Sequence, residues 1–194
     1  DHEQPTYYVN ETADTIGTSL QVLTGLFWLG VYTLSIWRAY RDKTPAIPAL
    51  VVPLNVAWEL LFTLRYPQDG LQATINGCWL LLDVIILLQT ILYLPNRGVV
   101  GHVRIPWSWV MPLLIVVWVA IGILFTDSFK DRDGANGAFT ISIILSLGFV
   151  TRALRTKSIS GQSTYIALCK LLGNTASSLE YARYLPALSL LHVA

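Results

Sequence analysis

The chain has 194 residues, 54% of them hydrophobic and 13% charged, with a net charge of +1 and a mean hydropathy of +0.53. Soluble domains carry about 25% charged residues, so this composition excludes a disordered chain and argues against a water-soluble globule. The charge balance gives no case for nucleic-acid binding. Cys78 and Cys169 both lie in apolar runs, which suggests neither a disulfide framework nor a zinc site. No signal peptide is read, and a start at Asp1 rather than Met predicts that a few leading residues are missing.

A membrane-crossing helix needs about 20 mostly apolar residues. Six stretches meet this, running from Ile16 to Tyr40, Pro45 to Leu64, Ala73 to Leu94, Ile105 to Phe125, Gly137 to Leu154, and Ser163 to Tyr184. A seventh begins at Pro186 and is incomplete at Ala194. None alternates in the manner of a barrel strand. The expected fold is all-α: residues 1–194 as one transmembrane domain, a bundle of seven helices. An offset of 119 residues pairs Asn55 with Asn174, Ala57 with Ala176, Leu60 with Leu179 and Pro67 with Pro186, which suggests a 3+1+3 pseudo-repeat. Loop charges orient it. Arg38, Arg41, Lys43, Arg97, Arg104, Arg152, Arg155 and Lys157 collect on one side, eight of the 13 basic residues, while the N-terminal segment is acidic. The N-terminus is therefore expected outside. The short loops favour a bacterial inner membrane over an endoplasmic reticulum.

Ionisable groups inside a membrane are costly and mark functional candidates. Glu59 lies in the second span, four residues from Asn55 and so on the same helix face. Asp83 is near the middle of the third span, with Asn76 seven residues earlier. Glu180 is late in the sixth, near Asn174, Ser177 and Tyr181. Helix direction puts Glu59 and Glu180 in the outer half, where Trp28, Trp58, Phe62, Trp79 and Tyr181 have the depth to wall a shared cavity. Glu180 and Asp83 have plainer alternatives, as a rim residue paired with Arg183 and as a structural acid, and so does Lys170, mid-helix in the sixth span, as a snorkelling or acid-paired cation; Glu59 is harder to dismiss. Trp37, Trp107 and Trp109 fit an interfacial belt.

No clustered-carboxylate motif for Mg²⁺, no metal-ligand cluster, and no nucleophile or phosphate-loop motif is present. An apolar, aromatic-lined cavity with buried carboxylic acids remains, and a carboxyl kept neutral by removal from water can act as a Brønsted acid.

The run Arg41-Asp42-Lys43-Thr44, then Asn55-Val56-Ala57-Trp58-Glu59, resembles the integral-membrane terpene cyclases of meroterpenoid and indole-terpenoid pathways, as do Trp79 to Asp83, Gly161-Gln162-Ser163 and Leu171-Leu172-Gly173-Asn174. The resemblance implies seven helices and a metal-independent, cofactor-free cyclase initiated by protonation. Its substrate would be a prenyl chain on an aromatic or indole group, protonated at its distal olefin or epoxide. It implies Glu59 as catalytic acid and Glu180 as the second acid, with Asp83 as fallback. Asn55, Trp58, Phe62, Asn76, Trp79, Asn174, Ser177, Tyr181 and Trp28 are the expected substrate contacts. The expected partners are the prenylated substrate and the bilayer, with no nucleic acid and no protein partner implied. The competing expectation is a small seven-helix carrier of the SWEET or PQ-loop type, suggested by the helix count and by Tyr66-Pro67-Gln68.

Overall fold

The computed structural model describes residues 15–68, 70–94, 99–100, 103–104, 106–156 and 160–182. Helix α1 is Thr15–Asp42, α2 is Val52–Leu60, α3 is Gly70–Tyr93, α4 is Trp107–Phe129, α5 is Ala135–Thr156 and α6 is Thr164–Ala182. A π-helical turn, Leu61–Arg65, prolongs α2. Two short strands, β1 (Val99–Val100) and β2 (Val103–Arg104), pair antiparallel between α3 and α4.

This corrects the expected seven-helix bundle. Six helices are described, and four of them (α1, α3, α4 and α5) are long and apolar enough to cross a membrane. The stretch from Pro186 lies outside the described residues. The second predicted span departs most from expectation. It is helical only from Val52, with a proline in its first turn, because Pro45 and Pro48 cannot sit inside a helix without losing hydrogen bonds. From Val52 to Arg65 the helical rise is about 21 Å, short of the ~30 Å hydrocarbon core. Pro67 stops the helix at the other end by forcing Tyr66 out of helical geometry, to φ −124° and ψ 57°. Helix α6, the expected counterpart of α2 in the repeat, is instead an unbroken helix of 19 residues, so these two elements do not match as the 3+1+3 scheme requires.

Helix α1 packs along α6 and α3, while α2 lies between α3 and α4 and reaches α5. The main core joins Tyr32, Ile47, Val52, Val56, Trp79, Ile86 and Leu145. A Cβ on Gly173 would come within 2.9 Å of Trp28, so only glycine lets α6 approach α1 this closely. Helices α4 and α5 turn Leu113, Val116, Leu124, Leu147 and Leu154 outward, an apolar surface suited to lipid. Trp37 and Trp109 are exposed at the basic end, in keeping with an interfacial belt.

The middle of the irregular chain between α1 and α2 is buried, with Ala46 and Ile47 nearly inaccessible. Non-helical backbone at membrane depth requires protein partners for its polar groups, and Arg152 of α5 supplies them. Its guanidinium donates to the carbonyls of Pro45, Ala46 (3.3 Å) and Ser160 (3.1 Å). Asp42 completes the tie by accepting from Gly161 N–H (2.8 Å) and Arg38 (2.8 Å). Gly161 has φ +75°, and a Cβ there would sit 2.7 Å from the Pro45 carbonyl oxygen. Gly161→Ala is therefore expected to destabilise the fold by about 1–3 kcal/mol, read as a lowered unfolding midpoint in mild detergent.

Candidate active site

Three helices deliver four polar side chains to one buried point. Tyr32 comes from α1, Asn55 and Glu59 from α2, and Asp83 from α3, and none is more than 6% exposed. Asn55 Nδ2 donates to Asp83 Oδ2 (2.6 Å) and to Tyr32 Oη (2.9 Å), and Tyr32 Oη donates to Glu59 Oε1 (3.3 Å). The two carboxyl groups are thus joined through one amide and one phenol. Glu59 Oε2 and Asp83 Oδ1 make no hydrogen bond. Tyr32 packs with Trp28 and Trp79, the three ring centroids 5.9–6.4 Å apart.

The cluster forms the floor of a cavity of about 750 Å³. Glu59, Asn55, Trp58, Trp79, Trp28, Asn174, Ser177, Glu180 and Tyr181 all line it, so nine of the predicted site residues meet in one hollow. Three do not reach it. Asp83 lies behind Asn55. Phe62 stacks on Trp58 at 4.8 Å and lines a separate cavity of about 120 Å³ toward α4. Asn76 is fully buried and holds Gln72 and Gln68 in place (2.7 and 3.5 Å).

Arg183, the expected partner of Glu180, lies outside the described residues. Lys170 neither snorkels nor meets an acid among the described residues. It donates to Ser142 O, Ser142 Oγ and Ser146 Oγ at 2.7–3.1 Å and lies 5.4 Å from the Trp28 ring centroid. Asp131, read only as a loop charge, is buried and caps α5 through Asn136 N–H (3.1 Å) and Gly137 N–H (2.8 Å).

Sequence reasoning missed Tyr32, Gln21, Thr24, Gln68, Gln72, Phe139 and Ser142, all on the cavity wall. The signal was a stripe. Gln21, Thr24, Trp28 and Tyr32 recur at helical spacing along α1, as do Gln72, Asn76, Trp79 and Asp83 along α3. Inspection of charged residues alone passes over the α1 stripe and, on α3, over Gln72.

Residues 2–187 match the family described as Pyr4-like transmembrane terpene cyclases. The chain belongs to this family. Among its curated relatives, terpene cyclase pyr4 of Aspergillus fumigatus is 27% identical over 77% of this chain and 64% of its own length. Pyr4-family terpene cyclase mfmH of Annulohypoxylon moriforme is 26% identical, over 93% of this chain and 74% of its own. Terpene cyclase andB of Emericella variicolor is 26% identical, over 91% and 76%. Against pyr4 the match spans just under two thirds of that protein. No solved structure matches significantly. The family membership confirms the resemblance read from the motifs and leaves the carrier alternative without support. The relatives named are fungal, which lends no support to the expected bacterial membrane. With its apolar helices, this family member is an integral membrane protein.

Among the described residues Asn55 is the one side chain bonded to both Asp83 and Tyr32. Asn55→Leu strips a donor from two buried acceptors, and a destabilisation of about 1–3 kcal/mol is expected, measured by chemical unfolding in detergent.

Proposed function

We propose that the protein is a terpene cyclase acting on a prenyl chain already joined to an aromatic or indole group, and that it starts the reaction by protonation. The observation that carries this reading is the Glu59 carboxyl. It is 2% exposed, has one oxygen without a hydrogen bond, and lies on the wall of a large hollow beside Trp28, Tyr32, Trp58 and Trp79.

In the proposed mechanism the uncharged Glu59 gives its proton to the distal olefin or epoxide of the prenyl chain. Tyr32 and Asn55 orient the carboxyl, and Asp83 acts behind them as a positioning residue. The positive charge then moves along the polyene as each ring closes. The indole and phenol faces of Trp28, Trp58, Trp79 and Tyr32 stabilise it, at about 0.5–2 kcal/mol per favourable contact, and a dry cavity delays capture by water.

The wall shape holds the chain in the fold that sets which carbons meet. The final ring forms nearest the head group. If the tail end lies at Glu59, that ring lies toward the outer end of the cavity. Glu180 lines the cavity from the last turn of α6, and we assign it the removal of the last proton. Among the described lining residues none is Lys, Arg or His, which suits a neutral substrate better than a free prenyl diphosphate. Among the described residues no group of three or more His, Cys, Asp or Glu is placed to hold a metal ion. We further propose that the end bearing Arg38, Arg41, Arg152 and Arg155 faces the cytoplasm, so the cavity's outer end faces away from it.

Glu59→Gln is isosteric and carries no transferable proton of comparable acidity. Cyclisation of a farnesylated phenol or indole is expected to fall by about 10²–10⁴-fold with an unchanged unfolding midpoint. Product formation by the Gln variant at the wild-type rate would remove Glu59 from the mechanism. Treatment with a chelator is expected to leave turnover intact, and activity lost to chelation but restored by Mg²⁺ would contradict protonation as the initiating step.

A further inference from the structure

The cavity has two chemically different ends. Its floor carries Glu59 and the aromatic rings. About 16 Å away along α1, the rise of the eleven residues from Tyr32 back to Gln21, the wall becomes a chain of amides. Gln21 Nε2 donates to Gln72 Oε1 (3.0 Å), Gln72 Nε2 donates to Asn76 Oδ1 (2.7 Å), and Asn76 Nδ2 donates to Gln68 Oε1 (3.5 Å). Gln68 Nε2 closes the chain on the Asp133 carbonyl (2.5 Å).

A primary amide offers two N–H donors and an oxygen with two lone pairs. The bonds within this chain use only part of that capacity. Gln21, Gln68 and Gln72 each keep a donor and an acceptor position, and all three line the cavity. Asn76, by contrast, is fully buried and uses both N–H groups, the second on the Phe62 carbonyl (3.4 Å). It is the anchor, and the three glutamines are the presented face.

An independent observation lies one helical turn below Gln21. The Thr24 hydroxyl is buried and has no hydrogen-bond partner, although a helical threonine can bond the carbonyl four residues back. Thr24 also lines the cavity. A buried hydroxyl without a partner costs stability, and a ligand oxygen at this position would satisfy it.

We propose that the amide end of the cavity is a head-group subsite, in which Gln21, Gln68, Gln72 and Thr24 bind a neutral, oxygen-bearing ring attached to the prenyl chain. The absence of a basic side chain among the described lining residues argues against an anionic head group. The unused donors and acceptors together fit a ring with hydroxyl or carbonyl substituents. The subsite rests on the reading of the cavity as a prenyl-substrate site. It adds a direction of binding, since fixing the ring at the amides sends the tail toward Glu59.

Thr24→Val is the decisive variant. It removes a hydroxyl that makes no hydrogen bond among the described residues, so a purely structural role predicts no loss of binding. The probes are a farnesylated phenol and the ring-free hydrocarbon farnesene. Binding to detergent-solubilised protein is followed by quenching of tryptophan fluorescence, since Trp28, Trp58 and Trp79 line the cavity. Loss of one hydrogen bond is expected to raise the Kd for the farnesylated phenol about three- to tenfold, with more for Gln21→Leu combined with Thr24→Val, while farnesene binds as before. Unchanged affinity for the phenol in both variants, equal weakening for both probes, or equal wild-type affinity for the two probes would each overturn the subsite. Turnover is measured in the same samples. Ring-selective binding without cyclised product supports the subsite and counts against the acid role of Glu59 instead.

Discussion

The structure depends on the Asn55 amide, which donates to an acid of another helix and to a phenol of a third. Polar groups in an apolar interior need protein partners, and a carboxyl left unpaired there costs several kcal/mol. Two acids are accommodated because a neutral donor stands between them. That arrangement constrains the fold. Helices α1, α2 and α3 must present Tyr32, Asn55 and Asp83 at one level, so their relative heights are set. The prolines ahead of α2 and the Arg152 tie at the basic end fit this requirement, since they let a short helix start deep within the bundle.

Much of the site was legible because charge inside an apolar run is conspicuous. Glu59 and Asp83 stood out against their neighbours, and the four-residue spacing from Asn55 to Glu59 correctly put both on one face. Depth arithmetic also brought Glu180 and Tyr181 to the cavity wall that Glu59 shares. Phe62 went astray. It was placed by depth alone, and depth does not fix which face a residue takes: Phe62 lies in the π-helical turn and lines the smaller cavity toward α4.

The fold was less legible than the site. Hydropathy reports a stretch as apolar without reporting whether it is helical, so the Pro45–Leu64 span was counted as a full crossing although its first residues are irregular chain. Such backbone is tolerable only where a distant side chain satisfies it, and Arg152 lies more than a hundred residues away. Lys170 shows the same limit. Its partners, Ser142 and Ser146, are on α5, and serines in an apolar helix carry no mark that singles them out as the receivers of a cation.

The helices that share the buried cluster are the first three in the chain, and α6 is the last one described. A nascent chain can therefore pair its two acids with Asn55 and Tyr32 as soon as α3 has left the ribosome. The hollow acquires its far wall only when α6 comes to rest against α1. The chain order thus brings together the groups that most need partners before the chamber they serve has its last wall.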